Sequence, residues 1–157
     1  MDFTELFQEF LVEAKKATYA SQGDEASVTP QFNGSKQLEY KSGDYFYRDV
    51  YFGMSFFVGQ EIVEYKNRPI WSMVYSGGVK GINVTNDEIS NTYRVLRKAL
   101  NAVDYHKSYR GPSTWNDEEY TYLNECKETS NNFYGYESIS KKGVIIYELR
   151  YNGGKIE

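Results

Sequence analysis

The chain has 157 residues, of which 18 are Lys or Arg and 22 are Asp or Glu, so its formal net charge is -4. This charge provides no cationic field for phosphate groups, and we therefore expect neither direct nucleic-acid binding nor association with an anionic membrane. The length fits a single domain over residues 1–157. Without an apolar run of bilayer length or a basic N-terminal start, we expect a cytoplasmic protein.

The first predicted element is an amphipathic helix over residues 2–18. Its apolar side chains recur every three or four positions, which is the spacing of one helical face: Phe3, Leu6, Phe7, Phe10, Leu11, Ala14 and Ala17. Asp2 and Glu5 have the spacing of a capping box. Residues 19–35 are rich in small and polar residues and are predicted to form a loop.

Three strands separated by short turns are predicted to follow, up to about residue 80. A second amphipathic helix is predicted over residues 85–103, where Thr85 and Glu88 have the spacing of a capping box and the apolar face holds Ile89, Tyr93, Leu96, Leu100 and Val103. Residues 104–118 are predicted to form another loop, and three further strands complete the chain.

The two halves of the chain resemble each other at an offset of about 75 residues. Residues 44–49, 57–63 and 70–78 correspond to residues 119–124, 133–139 and 146–154. The sequence therefore predicts two αβββ repeats, over about 1–80 and 81–157, related by an approximate two-fold axis. We expect an α+β domain in which two antiparallel meanders form one curved sheet or a half-barrel with two amphipathic helices.

Matched residues concentrate on one face of each meander, because side chains alternate along a strand. The matched face pairs aromatic residues, acids and amides between the halves: Tyr47 with Tyr122, Asp49 with Asn124, Glu61 with Glu137, Trp71 with Tyr147, and Tyr75 with Tyr151. The other face is not matched, since Val58 and Gln60 correspond to Tyr134 and Tyr136. Gly59 and Gly135 precede the acids by two positions, which indicates a bulge or room for something to approach the backbone.

Two interpretations of Glu61 and Glu137 remain open. Each acid can accept hydrogen bonds from tyrosines or from a following loop and so fasten its meander, because a carboxylate among aromatic rings needs partners. Alternatively, the two faces line an aromatic cleft between the repeats, where the acids recognise a cationic or hydrogen-bond-donating ligand. If the ligand is an anion, Arg110 is the expected anchor, because a guanidinium presents a planar fork of donors.

Few residues suit catalysis or metal binding. His106, the only histidine, is in a predicted loop and Cys126, the only cysteine, has no histidine partner at a recognisable spacing. We therefore expect no zinc site, no other metal and no cofactor. An enzyme that uses Glu61 or Glu137 as a general acid or base is the third choice among the functions.

Six segments of the chain resemble a known family: residues 9–20, 34–36, 47–53, 59–61, 69–73 and 109–112. They are similar to a bacterial family of uncharacterised domains, whose members often follow an Xre-type helix-turn-helix in transcriptional regulators. The resemblance implies a sensory or interaction module. A phage or mobile-element protein that sequesters a small signal would share these features.

The sequence predicts a non-enzymatic domain that binds a small molecule, of unknown identity, in the cleft between its repeats. The expected ligand-binding residues are Tyr47, Asp49, Glu61, Trp71, Tyr75, Arg110, Tyr122, Glu137, Tyr147 and Tyr151. The main alternative is a protein-interaction module that acts as a homodimer through an exposed sheet edge or aromatic patch.

Overall fold

A computed structural model describes residues 5–18, 20, 26–103 and 109–157. These residues form two helices and nine strands, which confirms the predicted α+β class. The helices are α1 (Glu5–Ala17) and α2 (Asn86–Asn101). The strands are β1 (Ser27–Val28), β2 (Lys36–Ser42), β3 (Tyr45–Gly53), β4 (Phe56–Tyr65), β5 (Arg68–Val79), β6 (Thr114–Asp117), β7 (Tyr120–Glu128), β8 (Asn132–Lys141) and β9 (Val144–Lys155).

Both helices occur where the apolar periodicity predicts them. At the start of α2 the predicted capping box is confirmed: Thr85 Oγ1 accepts a hydrogen bond from the Glu88 amide at 3.3 Å, and the Thr85 amide donates to Glu88 Oε2 at 2.8 Å. For α1, the predicted cap at Asp2 lies outside the described residues. Neither helix is long and apolar enough, within the described part of the chain, to cross a membrane.

The sheet has more strands than the three per repeat that the sequence predicts. The additional strands are short or polar: β1 and β6 lie within the predicted loops, and β2 has the sequence KQLEYKS. β2 forms because the turn at Gly43 and Asp44 returns the chain beside β3, and the two strands pair from Ser42 and Tyr45 to Lys36 and Tyr51. The backbone hydrogen bonds that make β2 a strand therefore come from β3. The polar sequence of β2 does not by itself indicate a strand.

All nine strands belong to one antiparallel sheet in the order β1-β2-β3-β4-β5-β9-β8-β7-β6. The strands up to β5 are in chain order and those after it are in reverse order, so β5 and β9 are neighbours at the centre. We call the β5–β9 pair the seam. In its register Tyr75 lies directly opposite Tyr151. The two predicted meanders are thus joined by their last strands.

Both helices pack against the same face of the sheet. Phe7 of α1 lies 6.0 Å from Trp71 between ring centroids, and Tyr93 of α2 lies 6.3 Å from Tyr147. We call this the helix-covered face; it contains most of the core, including Tyr47, Val63, Met73, Ile139 and Leu149, all fully buried. The opposite face, the open face, carries exposed side chains such as Val58, Val74 and Tyr134.

Candidate functional site

All ten residues that the sequence predicts as ligand contacts lie on the helix-covered side of the sheet. Nine of them are in strands and Arg110 is in the segment before β6, and none is more than 7% exposed. The structure therefore brings the matched face together as one buried cluster beneath α1 and the segment around Arg110. Contact of these residues with a ligand stays a prediction.

Glu137 has hydrogen-bond partners at both carboxylate oxygens. The Arg110 guanidinium donates to Oε1 at 2.6 Å through Nη2 and to Oε2 at 3.3 Å through Nε. Tyr147 donates to Oε1 at 2.8 Å and Tyr122 to Oε2 at 2.7 Å. Burial alone would raise the pKa of Glu137, but the Arg110 charge and these four hydrogen bonds outweigh it and hold the pKa below its usual value. Glu137 is therefore ionised at neutral pH.

Glu61 is bound less completely. Lys15 of α1 donates to its Oε2 at 2.6 Å, while Oε1 accepts no hydrogen bond from the described residues and lies 3.7 Å from Nη1 of Arg110. The Lys15 ammonium also donates to the backbone carbonyl of Tyr109. Burial lowers the pKa of Lys15, against the opposing effect of the Glu61 charge. The Arg110 guanidinium therefore lies close to both Glu61 and Glu137. Glu61 accepts its hydrogen bond from Lys15.

Asp49 and Asn124 occupy matched positions beside the two acids and make the same bond. Tyr75 donates to Asp49 Oδ1 at 2.7 Å, and Tyr151 donates to Asn124 Oδ1 at 2.8 Å. Burial and the neighbouring charge of Glu61 raise the pKa of Asp49 to about 7. The hydrogen-bonding pattern is thus repeated with a titratable group in the first half and a neutral amide in the second.

The glycines before the two acids make room for these tyrosines. A Cβ atom at Gly59 would overlap the ring and hydroxyl of Tyr75, and one at Gly135 would overlap those of Tyr151. The irregular register lies elsewhere, between Val63 and Glu64 and between Ile139 and Ser140. Of the two alternatives left open by the sequence, the structure supports close approach, and the approaching group is a side chain of the neighbouring strand.

The segment that carries Arg110 is held against the sheet by aromatic stacking. The Tyr109 ring stacks on Phe133 with centroids 3.7 Å apart and planes 9° apart, and it lies 5.9 Å from Trp71. Together with the Lys15 bond to its carbonyl, this stacking covers the acids from the helix side. These contacts join α1, the Tyr109–Arg110 segment and both halves of the sheet. We call the charged residues of this cluster, together with Tyr109, the buried clasp: Lys15, Asp49, Glu61, Tyr109, Arg110 and Glu137.

No group of three or more His, Cys, Asp and Glu side chains within the described residues is arranged to hold a metal ion. His106 lies outside the described residues. Cys126 is half-buried, and burial raises the pKa of its thiol above the ordinary value, which makes it a weaker nucleophile at neutral pH.

A groove of about 640 Å³ crosses the open face at the seam. Its exposed lining includes Val58 and Val74 from the first half of the sheet and Tyr134, Lys127 and Arg150 from the second. Tyr75 and Tyr151, two of the ten predicted residues, also line it. The groove lies between the two halves but mainly on the face that is not matched between them, whereas the sequence predicts a cleft lined by the matched face.

One cation of the groove is stacked on an aromatic ring. The Arg150 guanidinium lies 5.4 Å from the centroid of the Tyr136 ring, whose hydroxyl donates to Glu148 Oε2 at 3.1 Å. Among the described residues Arg150 makes no ion pair within 4.0 Å, and its side chain is exposed. Tyr136 is in turn fixed by Glu148, which Lys80 also contacts at 2.9 Å.

Sequence reasoning missed Lys15 and the groove residues for different reasons. Lys15 is four positions after Leu11 and eight after Phe7, so it lies on the apolar face of α1, and that signal was available in the sequence. Tyr134 and Arg150 lie on the unmatched face, where comparison of the two halves gives no signal.

The fold and the site define an α+β domain with one nine-stranded antiparallel sheet, a buried clasp on one face and a groove on the other. A family model for a domain of unknown function, DUF5680, matches residues 49–156, and the chain belongs to this family. The match begins at Asp49 and includes both acids, Arg110 and the groove. No curated protein and no solved structure matches the chain.

Proposed function

We propose that this domain binds a small molecule in the groove on the open face, without catalysing a reaction. The observation that carries the proposal is the groove itself: about 640 Å³ at the seam, lined by strands of both halves. Its volume falls within the range of about 300 to 1,000 Å³ that small-molecule sites occupy. At the seam, the other face of the sheet is occupied by core packing and by the buried clasp.

The lining favours a flat ligand with an anionic group. Tyr134 offers an exposed ring for stacking, and Val58 and Val74 offer apolar contact. Arg150 is stacked on Tyr136, so its planar fork is already oriented to bind a carboxylate or a phosphate. Lys127 adds a second cation, and Glu125 is the one acid among the lining residues.

The buried clasp has a structural role in this proposal. Its three acids, Asp49, Glu61 and Glu137, are at most 2% exposed; Lys15 of α1 pairs with Glu61, and Arg110 pairs with Glu137. We propose that the clasp fastens α1 and the Tyr109–Arg110 segment to a sheet whose halves are related by an approximate two-fold axis. The matched bonds of Tyr75 to Asp49 and of Tyr151 to Asn124 support this relation.

The test is a thermal-shift screen of the purified chain against aromatic carboxylates and nucleoside monophosphates, followed by calorimetric titration of any hit. We expect a hit to raise the melting temperature of the wild type, with Arg150→Gln and Tyr134→Ser each weakening its binding about tenfold or more. Arg94→Gln is the matched control, because Arg94 is an exposed arginine on α2 outside the groove lining. Equal binding by Arg150→Gln and the wild type would rule out the groove as the site.

A second candidate function is a protein-interaction module that forms a homodimer. It is favoured by three exposed apolar residues around the β3–β4 turn, Phe52, Met54 and Phe56, with exposures of 42%, 62% and 63%. Exposed apolar side chains so close together are typical of interaction surfaces. Sedimentation equilibrium over a wide concentration range distinguishes the two: a mass that doubles with concentration, and returns to the monomer mass in Met54→Glu, supports the dimer.

The cellular setting is also part of the proposal. We propose a cytoplasmic sensory or ligand-sequestering role, in line with the resemblance to domains that follow a helix-turn-helix in transcriptional regulators. An enzyme that uses Glu61 or Glu137 comes third, because neither acid is exposed to a substrate in the described structure.

A further inference from the structure

A second pocket, of about 240 Å³, lies between α2 and the β3–β4 turn. One wall consists of Tyr93, Leu96, Arg97 and Leu100, which are spaced so that they share one face of α2. Tyr51, Met54 and Phe57 line the opposite wall, and Lys36 of β2 stands beside Tyr51. The pocket is lined mainly by apolar side chains, and it shares no lining residue with the groove on the open face.

Two cations line this pocket, and no acid does. Lys36 Nζ lies 6.0 Å from the centroid of the Tyr51 ring, and no acidic group among the described residues lies within 4.0 Å of Lys36 or Arg97. The Nε atom of Arg97 is buried and has no hydrogen-bond acceptor in the described structure. A buried donor without an acceptor is unfavourable, and more so when the group is charged. An anionic oxygen in the pocket would remove this penalty.

The pocket is formed before any ligand arrives. The Tyr93 hydroxyl donates to the carbonyl of Met54 and lies 3.3 Å from that of Ser55, which ties the turn to α2. The Phe57 and Tyr93 rings meet edge to face with centroids 6.0 Å apart. Gly53 has a φ of 96°, in the left-handed region, and holds the tight turn that places Met54. A preformed site loses little conformational entropy on binding.

We propose that this pocket binds a monocarboxylate with a short apolar tail. The carboxylate lies between Lys36 and Arg97 and accepts a hydrogen bond from the buried Nε of Arg97. The tail packs against Met54, Phe57, Leu96 and Leu100. This proposal is independent of the groove, because the two sites lie on opposite faces of the sheet and require different shapes of ligand.

The test is calorimetric titration of the full chain with octanoate, octan-1-ol and octylamine at low ionic strength. These three probes share a tail and differ in charge. We expect octanoate to bind at least tenfold more tightly than the alcohol or the amine, because only the carboxylate satisfies both cations. We expect Arg97→Gln and Lys36→Gln each to weaken octanoate binding about tenfold while leaving octan-1-ol binding unchanged. In NMR spectra, octanoate should shift the Arg97 Nε–H resonance.

Arg94→Gln is the matched control, since Arg94 is exposed on the same helix and does not line the pocket. It should leave octanoate binding unchanged, and so should the groove variant Arg150→Gln, which separates this proposal from the proposed function. Equal affinity for octanoate and octan-1-ol would overturn the proposal, as would an Arg97→Gln variant that binds octanoate as the wild type does or the absence of binding at millimolar octanoate.

Discussion

The surroundings of Glu61 and Glu137 show how one sequence pattern produces two different sites. Both acids stand two positions after a glycine in the middle of a strand, and both are fully buried. Glu137 is paired with an arginine and two tyrosines, whereas Glu61 is paired with a lysine from a helix. The matched position thus fixes where each carboxylate lies, while the segments that cover the sheet determine which cation pairs with it.

The largest expected effect comes from removing the charge of Glu137. Glu137→Gln leaves the Arg110 guanidinium buried with a weaker partner, and arginine cannot release its proton. We expect a loss of about 3 to 5 kcal/mol in the free energy of unfolding. Glu61→Gln should cost about 1 to 3 kcal/mol, because the pKa of Lys15 is already lowered and Lys15 can become neutral. Urea unfolding at pH 7 measures both; an equal or larger loss for Glu61→Gln would contradict this comparison.

The next effect is a loss of stability as the pH rises from 4 to 7, which comes from Asp49 in the first half. The pKa of Asp49 is raised from 3.8 to about 7 in the folded protein, so the fold favours its protonated form. Its contribution to stability is full below about pH 4 and is lost as the pH rises towards 7. The charged groups around it are Glu61, Lys15 and Arg110, and Tyr75 donates to it.

Asp49→Asn should remove this dependence, so its stability relative to the wild type rises between pH 4 and pH 7. Asn124→Asp is the matched control, because it places an acid at the corresponding position of the second half. The stability of this variant should fall, relative to the wild type, as the pH rises from 4 to 7. Parallel pH–stability curves for Asp49→Asn and the wild type would refute the raised pKa.

Smaller losses are expected when the glycines are replaced. Gly59→Ala and Gly135→Ala place a methyl group against the rings of Tyr75 and Tyr151, and we expect each to cost about 1 to 3 kcal/mol through overpacking. Combining Gly135→Ala with Tyr151→Leu should remove the part of that cost that comes from the ring, while the contact with the Glu125 carbonyl stays. A double-mutant cycle in thermal or urea unfolding measures the coupling; additive losses would show that the glycine is needed for another reason.

The smallest effects compare two hydrogen bonds: that of Tyr75 to Asp49, which is partly ionised at pH 7, and that of Tyr151 to the neutral amide of Asn124. Tyr75→Phe leaves the Asp49 carboxyl without its donor and should cost about 2 kcal/mol, whereas Tyr151→Phe should cost about 1 kcal/mol, since bonds to charged groups are stronger. The difference should shrink at pH 4, where Asp49 is protonated in the folded protein. Equal costs at pH 7 and pH 4 would show that Asp49 is neutral throughout this range.

Much of the fold could be predicted from the sequence, and the reasons are local. The two helices follow from their apolar spacing, and the matched face follows from the alternation of side chains along β3, β4 and β5 and their counterparts. β1, β2 and β6 could not be predicted because they are short or polar and depend on pairing with a neighbour.

The partners of the acids were harder to predict than their positions. Arg110 could be proposed as a binding residue, but its pairing with Glu137 depends on how the segment before β6 folds back over the sheet. The two helices each have an apolar face that must pack against the more apolar face of the sheet. That requirement indicates that the matched face is buried, which favours the structural interpretation of the acids over an open cleft on that side.

The central position of β5 has a consequence for synthesis of the protein on the ribosome. β5 and β9 are adjacent, with Trp71 opposite Lys155, although the strands are separated by most of the second half of the chain. In a nascent chain that has not yet reached residue 144, one side of the twelve-residue β5 has unpaired backbone N–H and C=O groups. Such an edge recruits strands from other molecules. Pairing with β9 covers these groups, so aggregation through this edge should stop once β9 has formed.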